Sequence, residues 1–262
     1  MLLVWGARMT EPLLSIQKLT VCFDGFKAID GLSFTLMPRS IRVLIGPNGA
    51  GKSTLLDAII GHVRPTAGRI IFKGHDITRL AEYKIVRRGI CRKFQTPGVL
   101  DNLTVAENLM LASSRTRDCW HSFARQALPR LRRETEPLLK LINLSDRRDC
   151  VAARLSHGQK QWLEIGMVVA SDADLLLLDE PAAGMSHDEA AQTAQLIRSL
   201  SERHSLLVID HDMGFVAQLE APVSVLHMGR LLKEGSLEEV RTDPQVMEVF
   251  MGRAEEVVRG CA

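Results

Sequence analysis

The 262-residue chain carries 33 basic and 31 acidic residues, so its net charge is only +2. Its 46% apolar and 24% charged residues are typical of a folded globular protein and argue against disorder. The balanced charge argues against a nucleic-acid partner, and no apolar run reaches the roughly 18 residues that a membrane span needs. The five cysteines form no CxxC pair, which disfavours a disulfide framework or a structural zinc site and suits a reducing cytosol.

The first forty residues predict a small antiparallel sheet, because residues 13–19 and 31–36 have the pattern of half-exposed strands separated by turns. From residue 41 onward, short continuous apolar runs alternate with segments of helical spacing. This alternation is typical of a largely parallel central sheet covered by helices. The apolar runs are IRVLI (41–45), LLLL (175–178), LLVI (206–209) and VSVL (223–226).

The middle of the chain, residues 103–144, lacks strand-like runs and has helical periodicity. Thr104 is followed three residues later by Glu107, which predicts a capping box at the start of a helix. The basic stretch 113–136 is interpreted as a solvated helix face and loop, with contact to anionic lipid as the less favoured alternative.

The C-terminal region predicts two short helices over about residues 236–252. Ser236 with Glu239 forms a second capping box. Asp243 before Pro244 places an N-cap residue ahead of a proline at the first helical position.

The sequence GPNGAGKS at residues 46–53 fits the pattern GxxxxGK[ST] and lies between a predicted strand and a predicted helix. Glycines let the backbone N–H groups point at phosphate oxygens, and the helix N-terminus favours negative charge. Lys52 would reach the β- and γ-phosphates, and the Ser53 hydroxyl would ligate Mg²⁺. A glycine turn without function is the alternative, but the strand–loop–helix context favours nucleotide binding. The residues expected to bind ATP are Gly46, Pro47, Asn48, Gly49, Ala50, Gly51, Lys52, Ser53 and Thr54.

Four buried leucines lead to two carboxylates, Asp179 and Glu180, at the end of a predicted strand. Ligands of open α/β sheets bind at this edge. Asp179 is therefore expected to hold Mg²⁺, directly or through water. Glu180 is expected to orient or deprotonate an attacking water. Alone, the pair could equally be two acidic caps before Pro181; the phosphate-binding loop tips the interpretation towards catalysis.

A third motif, LSHGQ at residues 155–159, precedes another helical stretch. The ordered set GPNGAGKST, LSHGQ and LLLLDE resembles the ATP-binding subunits of ABC transporters, over about residues 13–252. The resemblance implies an α/β fold of the P-loop NTPase (ABC ATPase) type, with a mostly parallel core sheet, an N-terminal antiparallel β subdomain and an inserted helical subdomain. It implies one domain over residues 10–262. Independently of the resemblance, residues 1–9 are expected to be a poorly ordered start, because Met9 could begin the protein just as well. Within that domain the core is expected at about 12–94 and 160–230, and the helical subdomain at about 95–159.

The same resemblance implies roles for residues that no pattern would single out alone. Gln95 resembles the Q-loop glutamine, expected in the Mg²⁺ shell and in catalysis. His211 resembles the switch histidine that senses the γ-phosphate, and Phe23 the aromatic residue on which adenine stacks. The signature residues, expected to contact ATP bound to the opposite subunit, are Ser156, His157, Gly158 and Gln159. Alone, Gln95 would be called solvated, His211 structural and Phe23 a strand residue.

The sequence departs from the family pattern at four positions. His157 takes the place of a signature glycine, and Phe23 that of a tyrosine. Asp210 precedes the switch histidine where glutamate is commoner. Ser186 ends the D-loop, residues 181–186, in place of aspartate, which weakens any expectation of cross-dimer hydrogen bonding there.

The implied activity is ATP hydrolysis, with ATP and Mg²⁺ as cofactors, in a head-to-tail dimer that holds two nucleotides between its subunits. The implied partners are membrane permease subunits, a second ATPase subunit that is identical or different, and, indirectly, a substrate-binding protein. The implied location is peripheral, on the cytoplasmic face of the inner membrane.

Short stretches narrow the expected solute. PAAGM and DHDMGFV resemble ATPases of the branched-chain amino acid and urea/amide uptake group, and LSHGQKQWLEIGM resembles the urea-type subunit. Uptake of urea or short-chain amides is thus the main expectation, with branched-chain amino acids as the alternative. A soluble ABC ATPase of DNA repair or translation remains as another class, although the chain has no second cassette or long coiled coil. A nucleoside kinase would lack LSHGQ.

Overall fold

The computed structural model describes residues 11–93, 98–113 and 128–250, and these contain two sheets. The first is antiparallel, with the order β2-β1-β4-β5. Its first two strands join at Asp24 and Gly25, whose φ angles of 45° and 88° are those of the tight hairpin turn that an Asp-Gly pair favours. This turn pairs Phe23 with Phe26 at the hairpin tip. The strands are β1 (Leu14–Phe23), β2 (Phe26–Leu36), β4 (Ala67–Phe72) and β5 (His75–Asp76).

The second sheet has six strands in the order β10-β9-β3-β8-β7-β6. All its neighbouring pairs are parallel except the edge pair β9 and β10. The predicted α/β class with a mostly parallel core sheet and a separate antiparallel sheet is therefore confirmed. The strands are β3 (Ile41–Ile45), β6 (Ile90–Lys93), β7 (Leu175–Asp179), β8 (Ser205–Ile209), β9 (Val223–His227) and β10 (Arg230–Gly235).

Helices cover both faces of this second sheet. Leu176 and Leu178 of β7 pack into one apolar cluster, and Leu175 and Leu177 into another on the opposite face. The helices are α1 (Lys52–Ile60), α2 (Glu82–Arg87), α3 (Val105–Ser113), α4 (Leu128–Leu141), α5 (His157–Ala170), α6 (His187–Leu200), α7 (Met213–Gln218) and α8 (Leu237–Arg241), and residues 244–250 are also helical. Within the described residues, none of the helices could span a membrane.

The predicted helix starts are confirmed. The Glu107 N–H donates to Thr104 Oγ1 at 3.2 Å, and the Thr104 N–H donates to Glu107 Oε2 at 2.7 Å. Ser236 and Glu239 form the same reciprocal pair at α8. Asp243 Oδ1 accepts from the next N–H groups at the start of the last helical segment. Each arrangement supplies acceptors for N–H groups that a helix terminus leaves unpaired.

The helical part of the chain is joined to the core sheet through a buried ion pair. Lys93 ends β6 and Glu164 lies on α5, with 3.2 Å between Nζ and Oε2. Their side chains are only 2% and 6% exposed. Burial raises the pKa of Glu164, and the Lys93 ammonium opposes that rise.

Replacing Lys93 with methionine should lower the free energy of unfolding by about 3–5 kcal/mol, because it leaves a buried carboxylate without its counter-ion. Urea denaturation measures this loss. The double variant Lys93→Met/Glu164→Leu should recover most of it, since a buried pair can be replaced by apolar groups at little net cost. A single variant as stable as the wild type would show that the pair contributes nothing.

Candidate functional site

The glycine-rich loop, residues 46–51, lies between β3 and α1, and backbone crowding requires glycine at two of its positions. A β-carbon at Gly46 would lie 2.2 Å from the Leu226 carbonyl oxygen, and one at Gly51 would lie 2.5 Å from that of Ala28. Gly51 also has φ +102°, which favours glycine, and it directly precedes α1. Lys52, the first residue of α1, donates from Nζ to the Gly46 carbonyl at 2.7 Å. The Lys52 ammonium group and the N-terminus of α1 therefore lie together at this loop.

A cavity of about 390 Å³ lies against this loop. Phe23 and Phe26 reach it from the hairpin tip, and Asp179 and Glu180 from the end of β7. Apolar rings, a cation, two hydroxyls and two carboxylates thus meet in one space, which is the chemistry that a nucleoside triphosphate with a divalent cation requires. The other lining residues are Ala28, Asn48, Gly49, Gly51, Lys52, Ser53, Thr54 and Ile209. Gly46, Pro47 and Ala50 belong to the loop but do not line the cavity.

The two carboxylates of this cavity differ sharply in environment. Asp179 is 2% exposed, and Glu180 has a 36% exposed side chain. Burial raises the pKa of Asp179, although the Arg92 guanidinium, 3.1 Å from Asp179 Oδ2, acts against that rise. Glu180 has φ +47°, a left-handed conformation that is unfavourable for a residue with a β-carbon. The turn that follows β7 thus directs a partly exposed acid into the cavity.

His211 lies beside Glu180, with 3.3 Å between Nδ1 and Oε1. Asp210 holds the backbone of this segment, because its Oδ1 accepts from the His211 N–H at 2.8 Å and the Asp212 N–H at 3.0 Å. Asp210 is 3% exposed, and burial raises its pKa while the two N–H groups oppose the rise. Asp210, which stands where the family commonly has glutamate, therefore holds the backbone of the loop that carries His211.

The signature residues do not line the cavity. Ser156 is the N-cap of α5 and forms a capping box with Gln159, in which its Oγ accepts from the Gln159 N–H at 3.2 Å. His157 turns towards its own chain: its Nε2 lies 3.0 Å from the Ala183 carbonyl oxygen. Ser156 is exposed at the N-terminus of a 14-residue helix, a position that suits an anion held by another molecule.

Among the side-chain oxygens that line the cavity, the Ser53 hydroxyl and the Asp179 carboxylate suit a magnesium ion. Among the described residues, no group of three His, Cys, Asp or Glu side chains could hold a metal by itself. Mg²⁺ commonly uses one or two protein oxygens together with phosphate oxygens and water, so this donor set fits it. Bound there, it would neutralise phosphate charge.

Gln95, which the sequence assigns to the same site, lies outside the described residues. Sequence reasoning missed two residues here. Phe26 lines the cavity beside Phe23, and the Asp-Gly turn between them would have indicated that both rings lie at one tip. Arg92 contacts Asp179, and its only sequence signal is a charged residue within a strand that parallel-sheet burial would make apolar.

Comparison with known proteins decides the family. Residues 29–183 match the family model described as "ABC transporter". The chain belongs to the ABC transporter family. It is thus an ATP-binding subunit that hydrolyses ATP, and ATPase subunits of this family function with membrane permease subunits.

Several named proteins resemble this ABC ATPase over nearly their whole length. The high-affinity branched-chain amino acid transport ATP-binding protein BraF of Pseudomonas aeruginosa is 33% identical, over 94% of this chain and 100% of its own. LivG of Escherichia coli, which has the same description, is 32% identical with the same coverage. Among solved structures, an ATP-binding cassette of an ABC transporter in its ADP conformation has a TM-score of 0.81 and 29% identity, over 93% of this chain and 100% of that one.

Replacing His211 of this ABC ATPase with alanine should reduce ATP turnover about tenfold, the effect of losing one hydrogen bond of roughly 1.4 kcal/mol in the transition state. Binding of ATP should be unchanged, because the cavity lining is intact. Turnover and nucleotide affinity are measured on the same preparation, with His75→Ala, an exposed histidine of β5, as control. If the variant unfolds instead, the role of His211 is structural.

Proposed function

We propose that this chain is the ATPase subunit of an importer for branched-chain amino acids. The observation that carries its catalytic part is the cavity in which Lys52, Ser53, Asp179 and Glu180 meet. The names of the full-length relatives support the solute. These names favour branched-chain amino acids over urea or short-chain amides, although the LSHGQKQWLEIGM stretch makes urea or amides the first expectation from the sequence.

In this proposal the cavity residues act on the triphosphate. Lys52 neutralises phosphate charge, Ser53 and Asp179 hold Mg²⁺ together with Gln95, and Phe23 packs against the adenine. Glu180 activates the water, and His211, in contact with Glu180, senses the γ-phosphate. In this arrangement the protein contributes positioning and electrostatic stabilisation rather than covalent catalysis.

We further propose a head-to-tail dimer with two ATP molecules at its interface. The support is that Ser156 lies outside the cavity that holds Lys52 and is exposed at the N-terminus of α5, so it is available to a nucleotide on the other subunit. The second subunit is a copy of this chain or a different ATPase. The permease subunits hold the dimer at the cytoplasmic face of the inner membrane, and a substrate-binding protein delivers the solute to them.

Uptake in living cells tests the solute. Cells that lack this chain are supplied with the wild type or with Glu180→Gln, and uptake of radiolabelled leucine and urea is compared. Leucine uptake that depends on the wild type, with urea uptake unchanged, supports the proposal. Dependence of urea uptake alone would establish the second candidate, which the urea-type signature stretch favours. If neither changes and the chain purifies with nucleic acid rather than membrane subunits, the soluble class is correct.

A further inference from the structure

A row of ionisable side chains leads from the protein surface to Asp179. Arg92, on β6, donates from one terminal nitrogen to Asp179 Oδ2 at 3.1 Å and from the other to Asp57 Oδ1. His62 continues the row, with Nδ1 3.9 Å from Asp57 Oδ1 and Nε2 2.9 Å from Glu82 Oε2. Nothing in the assignment of the cavity residues uses these groups.

Arg92 connects two elements that contribute to the cavity lining, α1 and β7. Asp57 lies on α1, the helix that starts at Lys52, and Asp179 ends β7. The Arg92 side chain is 8% exposed and does not line the cavity. A guanidinium is a rigid planar fork, so two carboxylates on its two arms fix its orientation and it fixes theirs.

The contact also determines how Asp179 can bind a cation. Arg92 occupies Oδ2 of a carboxylate that is almost fully buried. The contact fixes the plane of the carboxylate, and so the direction in which its remaining lone pairs can meet a cation or a water bound to it. Mg²⁺ requires near-octahedral geometry and keeps several waters, whereas Ca²⁺ accepts higher coordination numbers and two-oxygen carboxylate binding.

We propose that Arg92 is a positioning residue that fixes the orientation of the Asp179 carboxylate towards the cation, or towards a water bound to it, and thereby makes the site select Mg²⁺ over Ca²⁺. This inference rests on the proposed function, which assigns Asp179 to the cation. Arg92 touches neither nucleotide nor metal in this scheme and acts through Asp179. The charges of Asp57 and Asp179 keep its guanidinium in place.

The test measures cation affinity directly. A fluorescent, non-hydrolysable ATP analogue is bound to the full-length protein, and Mg²⁺ or Ca²⁺ is titrated in. Arg92→Met should weaken Mg²⁺ binding about tenfold or more, as removal of a group that orients a ligand does. Ca²⁺ binding should weaken by less than about threefold, because its geometry is more tolerant. The preference for Mg²⁺ should therefore decrease. Arg88→Met, an exposed arginine before β6, is the matched control and should leave both affinities unchanged.

Arg92→Lys separates geometry from charge, since a single ammonium keeps the charge without the two-armed fork. It should stay impaired in the same sense as Arg92→Met, and it decides the question if the methionine variant does not fold. An unchanged Mg²⁺ to Ca²⁺ preference in Arg92→Met, or full recovery in Arg92→Lys, would overturn the proposal. Asp179→Asn should weaken both cations. If Asp179→Asn binds both like the wild type, the assignment of Asp179 has failed, and with it the proposed cation site.

Discussion

Replacing Glu180 with glutamine should reduce ATP turnover about 10²- to 10⁴-fold, the usual contribution of a general base. The amide keeps the size of the side chain but cannot accept a proton. It also retains an oxygen that can accept a hydrogen bond from His211, which lies 3.3 Å from Glu180 Oε1. ATP binding should persist, so the variant should accumulate as an ATP-bound dimer.

Two measurements check this expectation. Phosphate release gives turnover, and size-exclusion chromatography with and without ATP gives the dimer. Glu202→Gln, an exposed glutamate in the turn before β8, is the matched control and should behave as the wild type. Unchanged turnover in Glu180→Gln would remove this residue from the catalytic role, and loss of turnover without a dimer would contradict only the proposed assembly.

Replacing Lys52 with alanine should weaken ATP binding about 10- to 100-fold, since one charged hydrogen bond contributes roughly 1.5–3 kcal/mol. Turnover of the bound nucleotide should decrease by about another 10²-fold or more, because the ammonium also stabilises the charge of the transferred phosphoryl group. The same side chain donates to the Gly46 and Pro47 carbonyls, so the loop loses internal bonds as well.

Calorimetric titration with ATP and with AMP distinguishes these effects. AMP lacks the β- and γ-phosphates, so the ratio of ATP to AMP affinity should decrease in Lys52→Ala. An equal loss for both nucleotides would mean that the loop has collapsed and that Lys52 does not contact the terminal phosphates. Lys140→Ala, an exposed lysine of α4, is the control and should leave the ratio unchanged.

The sequence predicts the fold well where local rules apply. Burial on both faces makes the strands of a parallel sheet continuous apolar runs, and each of the four identified runs is a strand. Capping residues have a local hydrogen-bonding role, so Thr104 and Ser236 mark helix starts correctly. The hairpin is longer than predicted, extending over Leu14–Phe23 and Phe26–Leu36, because tertiary pairing continues strands past the apolar alternation.

The candidate site is predictable for a different reason. Its motifs place reactive side chains directly after strands, and the carboxyl ends of parallel strands lie at one edge of the sheet. The sequence alone therefore predicts that Lys52 and Glu180 lie close together, as they do in the cavity. Contacts such as Arg92 with Asp57 depend on the packing of distant elements, which no local pattern encodes. The role of Gln95 and the domain boundaries stay predictions, and the transported solute depends on proteins other than this one.

The backbone of Glu180 has a consequence for how such a protein can change. Its φ of +47° disfavours any residue with a β-carbon by roughly 1 kcal/mol, and glycine would relieve that strain. Selection for heat resistance alone would therefore favour glycine at position 180, and the carboxylate would be lost. Thermostabilised variants of this chain should be screened for phosphate release as well as for melting temperature, since stability and ATP hydrolysis favour different residues at position 180.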